Sequence, residues 1–321
     1  MIRLIGAELN RLASRRLSLV LAAAVVVVVA LFQVAVAQAV APPSAAQVAV
    51  ARQGFEQDRQ QWQQNHEQWQ QQCLDQGGSE AECVIPEPSE ADYGLAPTPY
   101  GDIVGAGVTF AVVMAMLAAY VISASFMGAE YSTGSLGNWL TFVPRRERVY
   151  AAKVVALVIG SGALGALAGL LMVGGAAIVT SVQGQPLTGI GGVTAAAARG
   201  VPVVVFAALM GFGIALLTRH TVAALGALLG YGLLVLGLSI VSYLVPVLSL
   251  LKRWQLETNI LAFVNHGHAY QVVERVISAE GVSLQAASRT LAFAPAGTYL
   301  AAVLVVMLAI ALLVFRGRDV T

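Results

Sequence analysis

The chain has 321 residues, 58% of them hydrophobic and 11% charged, with a formal net charge of +1 and a mean hydropathy of +0.75. Soluble domains carry about 25% charged residues, so the composition excludes that class and predicts an integral membrane protein. The cations are spread over loops and form no basic face, which removes nucleic acid from the expected partners.

Residues 1–16 read as an amphipathic interfacial helix. Ile2, Ile5, Leu9 and Leu12 recur at helical spacing against Arg3, Glu8, Asn10, Arg11, Arg15 and Arg16. Such a helix lies in the headgroup plane. An elbow that touches a cytoplasmic partner and a plain topogenic anchor fit these residues equally well.

Six apolar stretches follow, at about residues 17–41, 103–127, 154–182, 201–218, 222–247 and 291–315. Each approaches the roughly 20 helical residues that a hydrocarbon core of about 30 Å requires, the fourth being the shortest. Arg15 and Arg16 before the first stretch, with Ala-Val-Ala and Ala-Gln-Ala at its end, resemble a cleaved signal. The apolar run exceeds the 7 to 15 residues of a signal core, so it is read as a retained span. The third and fifth stretches hold glycine pairs at four-residue spacing, Gly165 with Gly169 and Gly226 with Gly230. In a chain with 32 glycines these predict packing within the chain before any dimer seam. Met114, Tyr120 and Ser123 in the second stretch are candidates to line a substrate path, with ordinary helix packing the plainer role for each.

Between the first two spans, residues 42–102 form a long loop. After Pro42-Pro43 comes a Gln-rich stretch in which Val48, Phe55, Trp62 and Trp69 fall every seven residues, a helix with one narrow apolar stripe. A stripe of that width packs on a neighbouring loop or on a second copy of itself. Cys73 and Cys83 share this loop and are the only cysteines. Outside the cell they are expected to form a local disulfide, and a thiol redox site or metal pair is the weaker alternative.

Residues 128–153, GAEYSTGSLGNWLTFVPRRERVYAAK, hold the densest positive charge and separate the second and third spans. The last long connection, residues 248–290, has an apolar part at 256–264 that suits re-entry into the outer leaflet. It is followed by an amphipathic run of Val272, Val273, Val276 and Ile277. His266 and His268 lie close together, but two histidines without a third ligand type make no metal site.

Arg3, Arg11, Arg15, Arg16, Arg145, Arg146, Arg148, Lys153, Arg219, Arg316 and Arg318 all belong to one set of short segments. The positive-inside rule makes that side cytoplasmic, with both termini on it. No Asp, Glu, Lys, Arg or His lies within the six apolar stretches, which disfavours a proton- or ion-coupled carrier. The chain has no G-x-x-x-x-G-K-[ST] phosphate loop, so any ATP would be handled by a partner.

Glu130, Tyr131, Gly134 and Leu136, followed by Pro144, Arg145, Arg146 and Lys153 between the second and third spans, resemble the cytoplasmic coupling segment of ABC-2 type permeases, the membrane subunits of ABC transporters. The N-terminal amphipathic segment, the six spans and the long fifth-to-sixth connection are similar to the same family. The resemblance implies an all-α polytopic permease forming a single transmembrane domain over residues 1–321. It would have an elbow helix, a coupling helix between spans 2 and 3 (residues 128–153), and re-entrant helices between spans 5 and 6. The coupling set would be Glu130, Tyr131, Gly134, Leu136, Trp139, Leu140, Pro144, Arg145 and Arg146, with the acid and apolar residues in a groove of the ATPase subunit. It further implies export of an amphiphilic or hydrophobic substrate by a pair of permeases with two ATP-binding subunits that use ATP and Mg. The external helix of residues 42–102 is an addition to the simplest members. A non-transporting sensor or assembly protein, whose external loop binds a ligand or partner, is the alternative.

Overall fold

The computed structural model describes all residues except 81, 97–98, 136, 138–144, 279–280 and 318–321. It is mostly helical, with six helices long and apolar enough to cross a membrane. The elements in chain order are α1 (Ile2–Ala13), α2 (Arg16–Ala39), α3 (Ala45–Asp75), α4 (Tyr100–Ser132), α5 (Arg146–Val182), α6 (Ile190–Thr218), α7 (Thr221–Val241), a 3-10 helix (Pro246–Trp254), α8 (Leu256–Val264), strands β1 (Gly267–Ser278) and β2 (Gly281–Ala292), and α9 (Phe293–Gly317). The spans are α2, α4, α5, α6, α7 and α9.

The fourth span, shortest by hydropathy, becomes a 29-residue helix because small residues upstream of Val201 continue it. Its apolar window is 67% buried, the largest share of any span, whereas that of α7 is 6% buried. The centre of the molecule is therefore α4, α5 and α6. Gly165 and Gly169 of α5 set one of these contacts: a Cβ on Gly165 would sit 3.1 Å from Val204 Cβ, and one on Gly169 3.2 Å from Ala197 Cβ. The helices approach to a distance that only small residues permit. Gly226 and Gly230 face no atom within 4 Å, so that pair makes no close approach within the chain.

α1 and the last turn of α9 lie beside the start of α5 at one end of the bundle, the terminal face; the opposite end carries α3 and the hairpin. At that opposite end Tyr100 Oη donates to Val173 O (2.7 Å) and Gln183 Nε2 to Ala37 O (2.8 Å).

Phe55 and Trp62 of the narrow α3 stripe pack on the chain's own return segment, while Trp69 is 38% exposed. Phe55 is buried edge-on against Tyr93, with ring centres 5.6 Å apart. Trp62 Nε1 donates to Ile85 O (3.0 Å), and Tyr93 Oη donates to Asp58. Cys73 and Cys83 form the expected disulfide. At the other end of α3, Ser44 and Gln47 form a reciprocal capping box. The result is an arm whose helix, about 46 Å long at 1.5 Å per residue, packs substantially on no other helix or strand.

The 248–290 connection differs from the helical expectation in its second half. Residues 256–264 do form the helix α8, but Val272 and its neighbours lie in an antiparallel hairpin running from Gly267↔Ala292 to Ser278↔Gly281. Valine and isoleucine at short spacing fit a helical and a strand pattern alike. Their β-branched side chains and the flanking glycines favour the strand.

α8 lies between spans. Tyr231 Oη accepts from Leu256 N–H (2.8 Å) at its start, and Arg199 Nε donates to Val264 O (2.7 Å) at its end. Both partners sit nine or ten residues, or about 15 Å, in from the far ends of α7 and α6. One orphan N–H and one orphan C=O of this nine-residue helix are thus partnered by span side chains.

Candidate functional site

At the terminal face three helices that are distant in sequence converge on four charges. Glu8 comes from α1, Glu130 from the last turn of α4, and Lys153 from the third turn of α5; all three are at most 1% exposed. Lys153 Nζ lies 3.0 Å from the Glu8 carboxylate and 2.7 Å from that of Glu130. Arg11, one turn beyond Glu8 on α1, approaches Glu8 at 3.3 Å and Glu130 at 3.1 Å. Two carboxylates and two cations make the cluster neutral. Buried ion pairs of this kind are tolerable only when every charge is matched.

One aromatic ring, that of Phe126, lies against the cluster. Lys153 Nζ stands 4.7 Å from the centre of the Phe126 ring, and the Arg15 guanidinium 5.1 Å from it, within the range of cation–π attraction. Arg15 also donates to Ser125 O (2.9 Å), and burial pulls its pKa below the usual arginine value. Tyr150 Oη donates to Leu308 O and Arg146 to Phe315 O, which ties α5 to α9. A Cβ on Gly128 would collide with Thr221, so α4 and the start of α7 touch through backbone.

The cluster was legible in part. Ile5, Glu8, Leu9 and Leu12 lie on one face of α1 by the three-four spacing of a helix, so Glu8 belongs to the buried stripe and not to the polar face. Glu130 continues the buried Phe126–Met127 stripe, and Lys153 continues Val149–Tyr150. Such an acid or base on an apolar stripe signals a buried partner, but no local pattern says that these three meet.

The candidate coupling residues separate accordingly. Glu130, which the resemblance assigns to the coupling set, points inward to Lys153 and Arg11 and is 1% exposed. Tyr131 is half-buried beneath the Arg219 guanidinium. Gly134, with φ of +67°, ends the turn after α4 in a conformation that favours glycine. Arg145 caps α5 and is exposed, while Arg146 is half-buried. Leu136, Trp139, Leu140 and Pro144 lie outside the described residues.

Of the candidate path residues, Tyr120 lines a half-enclosed cavity of about 430 Å³ between α4, α6, α7 and α8. Its hydroxyl donates to Ala224 O (2.7 Å). Met114 and Ser123 do not line that cavity; Ser123 Oγ instead donates to Tyr120 O, where α4 meets Gly211 of α6. His266 occupies a left-handed turn, φ 60°, and stacks on Phe293 at 5.0 Å, while His268 lies in β1.

No curated protein and no solved structure matches the chain. A family model described as ABC-2 family transporter protein matches residues 3–320, nearly the entire length. The six apolar helices agree with that match, and the chain belongs to the ABC-2 transporter family, whose members are membrane components of transport systems that associate with an ABC ATP-binding subunit.

Proposed function

We propose that this chain is the transmembrane subunit of an ATP-driven exporter that moves an amphiphilic or hydrophobic molecule, of the drug, lipid or peptide natural-product class, across the plasma membrane. Two copies, or one copy and a related permease, work with two ATP-binding subunits that hold ATP and Mg and carry out the hydrolysis. The terminal face is cytoplasmic, because it gathers the arginines of the short segments.

The observation that carries this reading is the buried four-charge cluster. The segment 133–145 joins α4 to α5 and is flanked in sequence by Glu130 and Lys153, the residues that lock α4 to α5 and both to α1. A push on that segment by a closing ATPase pair therefore moves α1, α4 and α5 as one body. Because α7 buries little of its surface within the chain, it is the span freest to part from that body and open an outward path beside the second permease. Glu130 acts here as an internal strut, and docking falls to the segment that follows it, with Arg145 and Arg148 near anionic headgroups, each worth about 1 kcal/mol there.

Deletion of residues 132–138 tests this. The expected result is loss of ATPase co-purification with the melting temperature of the permease retained; an ATPase that still co-purifies sinks the docking claim. The second reading, a non-transporting sensor or assembly protein, draws on one observation, the external arm that among the described residues packs substantially on no other helix or strand. It requires that no ATPase associate and that coupling-segment variants change nothing.

A further inference from the structure

The cavity beside Tyr120 has a composition that neither helix packing nor lipid contact requires. Its walls are apolar and polarisable, with Met116, Tyr120, Phe206, Met210 and Tyr231 contributing, and Glu257, from the first turn of α8, is among the residues that line it. Glu257 accepts a 2.6 Å hydrogen bond from Tyr231 Oη. Among the described residues no cationic side chain forms an ion pair with it. This contrasts with Glu8 and Glu130, whose carboxylates are each matched by a lysine and an arginine. Glu257 is half-buried, and a carboxylate beside apolar walls is screened less than one in open water, so it retains an attraction for a positive charge. The faces of Tyr120, Phe206 and Tyr231 favour a cation as well, and methionine side chains adapt to ligands of varied shape.

We infer that this cavity is a binding site for lipophilic organic cations, whose apolar body fills the space between α4, α6 and α7 while the positive centre meets Glu257. The site discriminates by sign. An anion of the same shape meets the carboxylate without a compensating cation, and a neutral molecule gains only the apolar contacts. α8 carries the carboxylate and is held at both ends by Arg199 and Tyr231, so the charge stands at a fixed position against the spans. The inference rests on the exporter reading only in naming the substrate class; binding itself needs no ATPase.

The test uses the full chain alone in phosphatidylcholine nanodiscs, with empty nanodiscs as the baseline. Equilibrium binding is measured for tetraphenylphosphonium and tetraphenylborate, two ions of nearly the same shape and opposite charge. Saturable binding of the phosphonium and none of the borate above baseline is expected. Glu257→Gln is expected to weaken phosphonium binding at least tenfold at an unchanged melting temperature, Glu257→Asp to keep most of it, and Ala227→Trp, which fills the cavity, to abolish it. Equal binding of the two ions by the unmodified chain overturns the inference without recourse to any variant, as does undiminished phosphonium affinity in a folded Glu257→Gln protein. Addition of the ATP-binding subunit then separates the two readings. Phosphonium that binds but leaves ATP hydrolysis unchanged sinks export of this class and leaves the site standing, whereas hydrolysis stimulated equally by both ions retains the exporter and removes the site.

Discussion

The two amphipathic helices outside the span bundle, α1 and α3, solve the same problem in opposite ways. Each has a narrow apolar stripe that must be covered. α1 covers its stripe with the bundle itself, burying Leu12 against the α4–α5–α6 core and inserting Glu8 into a charge cluster shared with α4 and α5. α3 packs Phe55 and Trp62 of its stripe on the 21 residues that follow it, stapled by Cys73–Cys83 and anchored by Tyr93 on Phe55. A displacement of α1 is therefore felt by the spans, and a displacement of α3 is felt only by the arm. The charges agree with that division: nine carboxylates and two arginines between residues 45 and 96 leave the arm strongly acidic, which keeps it away from anionic headgroups and from an identical arm.

The sharpest way to break the comparison is Lys153→Met. It leaves two carboxylates buried with Arg11 alone, and loss of one partner from a buried ionic cluster costs about 3 to 5 kcal/mol. A fall in the melting temperature of the detergent-solubilised chain, with α1 becoming protease-sensitive, is expected. The exchange of Glu130→Lys with Lys153→Glu should recover much of the loss, and a melting curve unmoved by Lys153→Met contradicts the cluster's structural role.

Replacing Cys73 and Cys83 by serine probes the other side. Removal of a native disulfide costs about 2 to 4 kcal/mol, but here the cost should fall on the arm alone. Proteolysis within residues 76–96 is expected to accelerate while the melting of the bundle stays where it was. A joint loss of both would mean that the arm and the bundle are coupled.

A smaller effect calibrates the cluster. Arg316 and Glu147 stand 3.1 Å apart, the same separation as Arg11 and Glu130, but both are more than half exposed. Exposed pairs contribute about 0 to 1 kcal/mol, so Arg316→Ala should barely move the melting temperature. Burial, and not distance, then accounts for the difference from Lys153→Met.

The smallest effect is in acid. Hydrogen bonds from Ser79 hold the Glu82 carboxyl below its ordinary value of 4.5, and those from Ser89 hold Asp92 below 3.8. Carboxyls with depressed values stabilise the fold fully above their ordinary values, and the contribution is lost as pH falls through the lower folded ones. The return segment should therefore loosen below about pH 4 while the disulfide holds. A red shift of Trp62 emission, taken as the difference from a Trp62→Phe chain, reads this; no shift in acid removes these turns from the account of the arm's stability.

How much the residues revealed on their own varies along the chain. The spans were legible because a run of some twenty apolar residues has one low-energy disposition in a bilayer. The disulfide followed from two cysteines ten positions apart in one external loop. The hairpin was not legible, since Val272, Val273, Val276 and Ile277 satisfy a helical and a strand pattern equally over so short a run. The position of Glu130 at the end of the second span was legible and its pairing was not, because a carboxylate at a helix end gives no local sign of a lysine 23 residues away.

By itself, then, the sequence determined the class of the protein, the number and rough extent of its spans, the disulfide and the family, since hydropathy, charge bias and short motifs are properties of local stretches. The tertiary structure alone decided which charges meet, what Phe55 and Trp62 of α3 pack on, that Gly267–Ser278 and Gly281–Ala292 pair as strands, and that among the described residues no cation pairs with Glu257. Those outcomes depend on contacts between segments far apart in the chain, where packing and the cost of leaving a charge unmatched in a low-dielectric interior outweigh any local preference.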